Sequence, residues 1–138
     1  HLKLVRAAMA GVVNDIDGGT AFRSRIREEG FEMAGKTGTA QVRRISKAER
    51  DTGVRKNEEL PYLMRDHSLF VGYAPLHNPR FAASVVVEHG GSGSKVAAPI
   101  CSAILLKAQE RFKEMGEGLP VADGPQDRPS GANPDGGV

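Results

Sequence analysis

The sequence predicts an α+β domain in which a small antiparallel sheet is covered by helices, and three observations carry that prediction. Two segments, near residues 2–13 and 96–115, repeat apolar residues at intervals of three and four, as one face of a helix requires. Between them, three segments alternate or run in Val, Phe and Tyr, as strands do. The last two are joined by Pro75-Leu76-His77-Asn78-Pro79, which breaks helix and favours a tight reversal, so their pairing is antiparallel.

The elements follow in chain order. Leu2, Val5, Met9 and Val12 recur at helical spacing, widened by Leu4, Ala8 and Val13, which predicts a helix over 2–14. Asn14, Asp15, Asp17, Gly18 and Gly19 end it, because Asn and Gly tolerate the left-handed backbone that stops helices. From Phe31 to Val42 the chain alternates, sending Phe31, Met33, Thr37 and Thr39 to one face and Glu32, Ala34, Lys36 and Val42 to the other. A strand is expected over 31–42. Residues 43–66 are charged and lack a period, which reads as a long solvated loop. Strands are expected over 68–75 and 81–88. Gly90, Gly91 and Gly93 mark the exit from the last strand. Val96, Ile100, Ile104, Ala108, Phe112 and Met115 then predict a helix over 97–114, with Pro99 in its first turn, where proline is tolerated. Both helices are expected on one face of the sheet. The expected core is Leu2, Val5, Met9, Phe70, Val85, Val87, Ile100, Ile104 and Phe112. Residues 1–115 form the expected domain; residues 116–138, with six Gly and four Pro among 23, read as a flexible tail.

Composition excludes several classes of function. With 138 residues, 39% hydrophobic and 26% charged, the chain suits one domain or part of one. A net charge of +2 does not point to nucleic acid. The apolar runs, such as Val85 to Val87, fall far short of the roughly 20 residues that span a bilayer, so the chain itself reads as soluble. No signal-peptide pattern opens the chain, and a start at His1 reads as a cut. Cys101 alone forms no internal disulfide. His1, His67, His77 and His89 lack metal-ligand spacing, so no metal and no cofactor are expected.

Two motifs overlap at one place. Gly30-Phe-Glu-Met-Ala-Gly35-Lys36-Thr37 has the spacing of a phosphate-cradling loop, and Val85-Val86-Val87-Glu88 could pass for an acid-ended magnesium strand. A phosphate loop must follow a buried strand and open a helix, so that helix-end N–H groups face the anion. Here five charges within Arg23 to Glu29 precede it and a strand-like stretch follows, which argues against a nucleotide-binding domain. The other motif is Lys36-Thr37-Gly38-Thr39, a K-T-G element suited to a strand that lines an active site. A peptide substrate adds to such an edge through main-chain hydrogen bonds, and Gly38 lets it approach. Thr37 and Thr39 offer hydroxyls to a substrate carboxylate, and Lys36 supplies a fixed positive charge.

The surroundings extend the motif. Gly19-Thr20-Ala21, then Ala34-Gly35-Lys36-Thr37-Gly38-Thr39-Ala40-Gln41-Val42, then Arg65-Asp66-His67-Ser68-Leu69-Phe70-Val71-Gly72-Tyr73-Ala74-Pro75, then Asn78-Pro79 and Glu88-His89-Gly90-Gly91 resemble successive landmarks of class B penicillin-binding proteins. The likeness spans about residues 1–114 and is greatest to the elongation type, penicillin-binding protein 2, with its R-D-H segment before the strand that follows K-T-G. The resemblance implies part of the penicillin-binding transpeptidase, serine β-lactamase-like fold. It also implies a D,D-transpeptidase whose serine attacks the D-Ala-D-Ala bond of a peptidoglycan stem peptide, forms an acyl-enzyme and is trapped by β-lactams. Carried over by residue, Lys36 joins the polar network facing the nucleophile, Thr37, Gly38 and Thr39 bind substrate, and the Thr39 N–H is half of the oxyanion hole. Expected partners are the upstream part of the same domain and membrane proteins of cell elongation, at the periplasmic face of the bacterial inner membrane. The family's S-x-x-K and S-x-N elements should precede Lys36, and neither is there. Ser92-Gly93-Ser94-Lys95 fits S-x-x-K but lies after the K-T-G segment in a glycine-rich loop, with Ser94 as a helix cap. The chain alone is therefore expected to be inactive. A peptide-carboxylate-binding module without catalysis is the alternative reading of the same threonines.

Overall fold

Each alternating segment becomes a strand, and each periodic one a helix, in a computed structural model that describes residues 1–116 of the chain. Of the expected tail 116–138, residues 117–138 lie outside the described residues. Helix α1 spans Leu2–Asn14, strand β1 Ala34–Ala40, strand β2 His67–Ala74 and strand β3 Phe81–Val87, and helix α3 spans Ala98–Glu114. A short helix α2, Lys47–Thr52, interrupts the connection between β1 and β2. The sheet runs β1-β2-β3, antiparallel throughout, with Thr37 opposite Phe70 and Phe70 opposite Val85. β1 is shorter than expected at both ends, and a π-helical turn at Gly93–Ala97 leads into α3.

Directly paired residues of an antiparallel sheet share a face. Ser68, Phe70 and Gly72 of β2 therefore look the same way as Thr39, Thr37 and Gly35 of β1 and as Val87, Val85 and Ala83 of β3. α3 covers this face. A Cβ at Gly72 would stand 3.4 Å from Leu105, and Phe112 meets Phe81 edge-on at 5.7 Å. α1 packs on β1 from the opposite face. Ala34, paired with Tyr73, is fully buried there, and the Arg6 guanidinium lies 5.9 Å from the Tyr73 ring centre. The expectation of both helices on one face is thus corrected: the connection 15–33 carries the chain round the edge of β1. Periodicity reveals which side of a helix is apolar, not which face of a sheet receives it.

The core consists of Val13, Ala21, Ile26, Met33, Phe70, Ala74, Ala97, Ala98, Cys101 and Leu105. Phe70 was expected in it, and Met9, Val85, Val87 and Phe112 are partly buried. Leu2, Val5, Ile100 and Ile104 are exposed instead, at 73%, 53%, 42% and 48%. Two causes account for the difference. Only the carboxy-terminal turns of α1 reach the sheet, so its first turns stand clear of it. In α3 the buried stripe runs through Ala98, Cys101, Leu105 and Gln109, because small residues bring that side close to β2 and the branched Ile100 and Ile104 turn outward. Burial raises the Cys101 thiol pKa and keeps it protonated.

Ser68 fastens β2 to the start of α3. Its fully buried hydroxyl donates to the Ser92 carbonyl at 3.0 Å and accepts from the Ala97 N–H at 3.1 Å. Ser68→Ala is expected to orphan that buried N–H and to lower stability by about 1–3 kcal/mol, read from the denaturant midpoint.

The charged segment 43–66 is more ordered than expected. Ser46 caps α2 by accepting from the Glu49 N–H at 3.2 Å, and 3₁₀ turns occupy Asn57–Glu59 and Tyr62–Met64. Arg43 grips Glu49 in a two-point pair at 2.7 and 2.5 Å. The sequence hides this because polar contacts, which have no period, hold the segment. Arg43 lowers the Glu49 pKa from 4.5 to about 2. Between those values the unfolded segment binds more protons than the folded one, so stability falls as pH falls. The segment is expected to keep this contribution above pH 4.5 and to lose it towards about pH 2, whereas Glu49→Gln removes that dependence. Amide exchange of residues 43–55 across this range checks it.

Candidate substrate-binding strand

β1 pairs with β2 alone among the described residues, and it carries Lys36, Thr37, Gly38 and Thr39 in succession. The strand's two-residue period parts them. Lys36 shares the face of Val71 and is exposed; its ammonium donates to the Thr37 carbonyl at 2.7 Å. Thr37 and the exposed Thr39 look the other way. On one side of the strand Thr37 and Thr39 offer two hydroxyls to a bound carboxylate, and on the other Lys36 sets a cation. Gly38 is close to β2, since a Cβ there would stand 3.2 Å from that of Leu69. At Gly35 a Cβ would overlap the Phe70 ring, so glycine at this position lets the core close under the strand.

Two supporting residues escape a reading by motif. The Thr20 hydroxyl lies 3.3 Å from that of Thr37, joining the loop after α1 to the strand. Gly93 rests on the backbone of β1 and β2, where a Cβ would overlap the Gly38 and Leu69 carbonyl oxygens. The available signals were weak: Thr20 lies in the Gly-Thr-Ala landmark, and Gly93 in a glycine cluster that also suits a plain loop.

The competing motifs separate cleanly. Residues 30–37 enter β1 and open no helix, so the N–H array of a phosphate loop is absent there and the nucleotide reading is set aside. In the Ser92-x-x-Lys95 string, the Ser92 hydroxyl pairs with that of Ser94 at 3.0 Å, whereas the Lys95 ammonium lies 3.9 Å from Glu58. Serine and lysine face different partners and do not form a nucleophile and its base.

Asp66 and His67 sit in a polar latch at the start of β2, the strand beside K-T-G. The Asp66 N–H donates to Asn57 Oδ1 at 2.9 Å, and its carbonyl accepts from the Gly91 N–H at 2.8 Å. His67 Nδ1 accepts from the His89 N–H at 2.9 Å, and the two rings lie 4.8 Å apart. Among the described residues, no group of three His, Cys, Asp or Glu could hold a metal, and no helix is long and apolar enough to cross a membrane.

A K-T-G strand bordering an antiparallel sheet, with a helix on each face, defines a class of protein, and a family model matches it. The penicillin binding protein transpeptidase domain covers residues 1–106, and the chain belongs to that family. Within it the likeness is to penicillin-binding protein 2. The Haemophilus influenzae peptidoglycan D,D-transpeptidase MrdA is 33% identical over 72% of this chain, and the Acinetobacter baumannii MrdA is 44% identical over 54%. The chain spans only 14% and 11% of those relatives. Among solved structures, the Helicobacter pylori PBP2 in complex with MreC matches 84% of this chain and 18% of its own, at 30% identity and a TM-score of 0.59. Pseudomonas aeruginosa PBP2 in complex with WCK 5153 matches 76% of this chain and 18% of its own, at 37% identity and a TM-score of 0.54.

Proposed function

We propose that this chain supplies the substrate-binding strand of a peptidoglycan D,D-transpeptidase of the elongation type, acting in cell-wall synthesis and cell shape. The observation that carries the reading is the K-T-G-T run on a strand whose outer side pairs with no other described strand, inside a match to the transpeptidase family. The stem peptide lies along β1, its terminal carboxylate held by the Thr37 and Thr39 hydroxyls. Gly38 permits the approach, and Lys36 keeps the polar network beside the nucleophile charged. The acylating serine comes from polypeptide outside this chain, and its attack on the D-Ala carbonyl carbon expels D-Ala. The Thr39 N–H holds the resulting oxyanion, a contact whose loss in comparable enzymes costs about 100- to 1000-fold. An amine of a second strand then takes the acyl group and frees the serine.

Exposed Leu2, Leu4 and Val5 on α1 and the outer edge of β3, which pairs with no other described strand, support an upstream part of the same domain as the first partner. The MreC complex of the Helicobacter pylori neighbour supports a further partner in the elongation machinery. The site of action is the periplasmic face of the inner membrane, and β-lactams are the inhibitors.

Intact mass measured after exposure to a penicillin tests the reading, on this chain alone and on the whole protein. One adduct is expected, on the whole protein only and at a serine outside this chain. An adduct at Ser92 of the short chain overturns the placement of the nucleophile. Absence of any adduct, with reversible binding of D-Ala-D-Ala peptides, makes the strand part of a non-catalytic module.

A further inference from the structure

Two histidines meet where the chain enters β2 and where it leaves β3. His67 opens β2 opposite Ala40 of the K-T-G strand, and its Nδ1 accepts from the His89 N–H at 2.9 Å. An imidazole nitrogen that accepts carries no hydrogen, so the His67 ring is neutral with its hydrogen on Nε2. His89 Nδ1 donates to the Arg65 carbonyl at 3.0 Å, because a carbonyl can only accept, and that nitrogen keeps its hydrogen in the neutral and the charged ring alike. The two rings therefore respond differently to a further proton. On His67 it lands on the acceptor itself; on His89 it lands on Nε2 and leaves the bond to Arg65 in place.

The ring centres lie 4.8 Å apart, and Tyr62 meets His89 edge-on at 5.2 Å with its hydroxyl donating to the Glu88 carbonyl. The charged groups around the pair are engaged elsewhere. Arg65 donates to the Leu60 carbonyl, the Asp66 carboxylate accepts from Asn57 and from the Val42 N–H, and Lys95 of the turn before α3 faces Glu58. The Glu88 side chain is exposed, and β1 sets only Ala40 opposite His67. Among the described residues no carboxylate forms a salt bridge with either ring, so a charge gained on His67 meets no anion. His89 holds φ at +55°, a left-handed backbone uncommon in a residue with a Cβ, and is kept there by the bonds to its N–H and its ring. The loop it begins ends on the K-T-G strand: the Gly91 N–H donates to the Asp66 carbonyl, the Ser92 carbonyl accepts from Ser68, and Gly93 rests on the Gly38 backbone.

We propose that His67 is a positioning residue for the K-T-G strand, and an acid-sensitive one: as a neutral acceptor it holds the loop 88–93 on the sheet, and on protonation it releases it. A proton on Nδ1 sets a donor against the His89 N–H, and the left-handed backbone at His89 loses the bond that sustains it. Histidine changes charge between about pH 5 and 8, so the support is complete at the alkaline end of that range and is lost towards the acid end. The behaviour of the loop is independent of the proposed transpeptidase function; its consequence for acylation rests on it.

Hydrogen–deuterium exchange of the whole protein tests the proposal. Protection over 88–93, corrected for the intrinsic pH dependence of exchange, is expected to fall about tenfold between about pH 7.5 and about pH 5.5, as the loss of one hydrogen bond implies. His67→Asn places an acceptor oxygen where Nδ1 stood and does not titrate, so its protection should hold across the range, whereas His67→Ala loses it throughout. The ratio of penicillin acylation rates, His67→Asn over wild type, should rise about threefold to tenfold over the same interval. A flat wild-type profile, or an acid fall that persists in His67→Asn, overturns the proposal. An acylation ratio constant in pH while protection changes as expected overturns the positioning role. If no penicillin adduct forms, the transpeptidase reading fails and the exchange profile still decides the proposal. If His67→Asn does not fold, the wild-type profile decides alone.

Discussion

Lys36→Ala in the whole transpeptidase is expected to slow acylation by a penicillin about 100- to 10,000-fold, the range for a positioned group that handles protons in acyl transfer. Folding should be almost untouched. The ammonium is exposed and its hydrogen bond goes to the carbonyl of the next residue, so its loss removes no tertiary contact. A change within about 0.5 kcal/mol in stability is expected. Stopped-flow acylation and a denaturation curve on one preparation separate the two effects. A large loss of stability, or an unchanged acylation rate, contradicts the role given to Lys36.

Gly93→Ala is expected to do the opposite, damaging the scaffold first and activity through it. The added methyl would meet the Gly38 and Leu69 carbonyl oxygens, and Leu69 lies on the central strand β2, whose backbone is held from both sides. A loss of about 3 kcal/mol or more is expected, at the upper end of overpacking effects. Any protein that still folds has its K-T-G strand displaced, and a shift near 1 Å in a positioned group costs about 100-fold in rate. Gly11→Ala is the control: nothing stands within 4 Å of that position, and alanine inside a helix is favoured over glycine by about 0.5–1 kcal/mol. Thermal melts of the two variants should therefore move in opposite directions.

Much of the site was legible because a strand's two-residue period is also its chemistry. Alternation from Phe31 onward already separated Lys36 from Thr37 and Thr39, and the structure keeps that division. Thr20 and Gly93 were not legible in the same way. Their roles depend on which residues of other elements they meet, and no local pattern records that meeting. The same limit applies to α3. Its period is evident, but the buried stripe is the one with Cys101 and Leu105, because closeness to β2 favours small residues there over the more hydrophobic Ile100 and Ile104.

Local, periodic features could be read from the residues alone: the kind and order of the helices and strands, the hairpin at 75–79 and the succession Lys36-Thr37-Gly38-Thr39. Spacing along a chain sets these directly, since each depends on neighbours a few residues away. That α1 and α3 take opposite faces, that Ser68 ties β2 to α3, and that Gly93 lies on the K-T-G strand emerge from the packing of the folded chain. Those outcomes depend on volume and on buried hydrogen-bond partners brought together from distant segments, and such complementarity exists only after the chain has closed on itself.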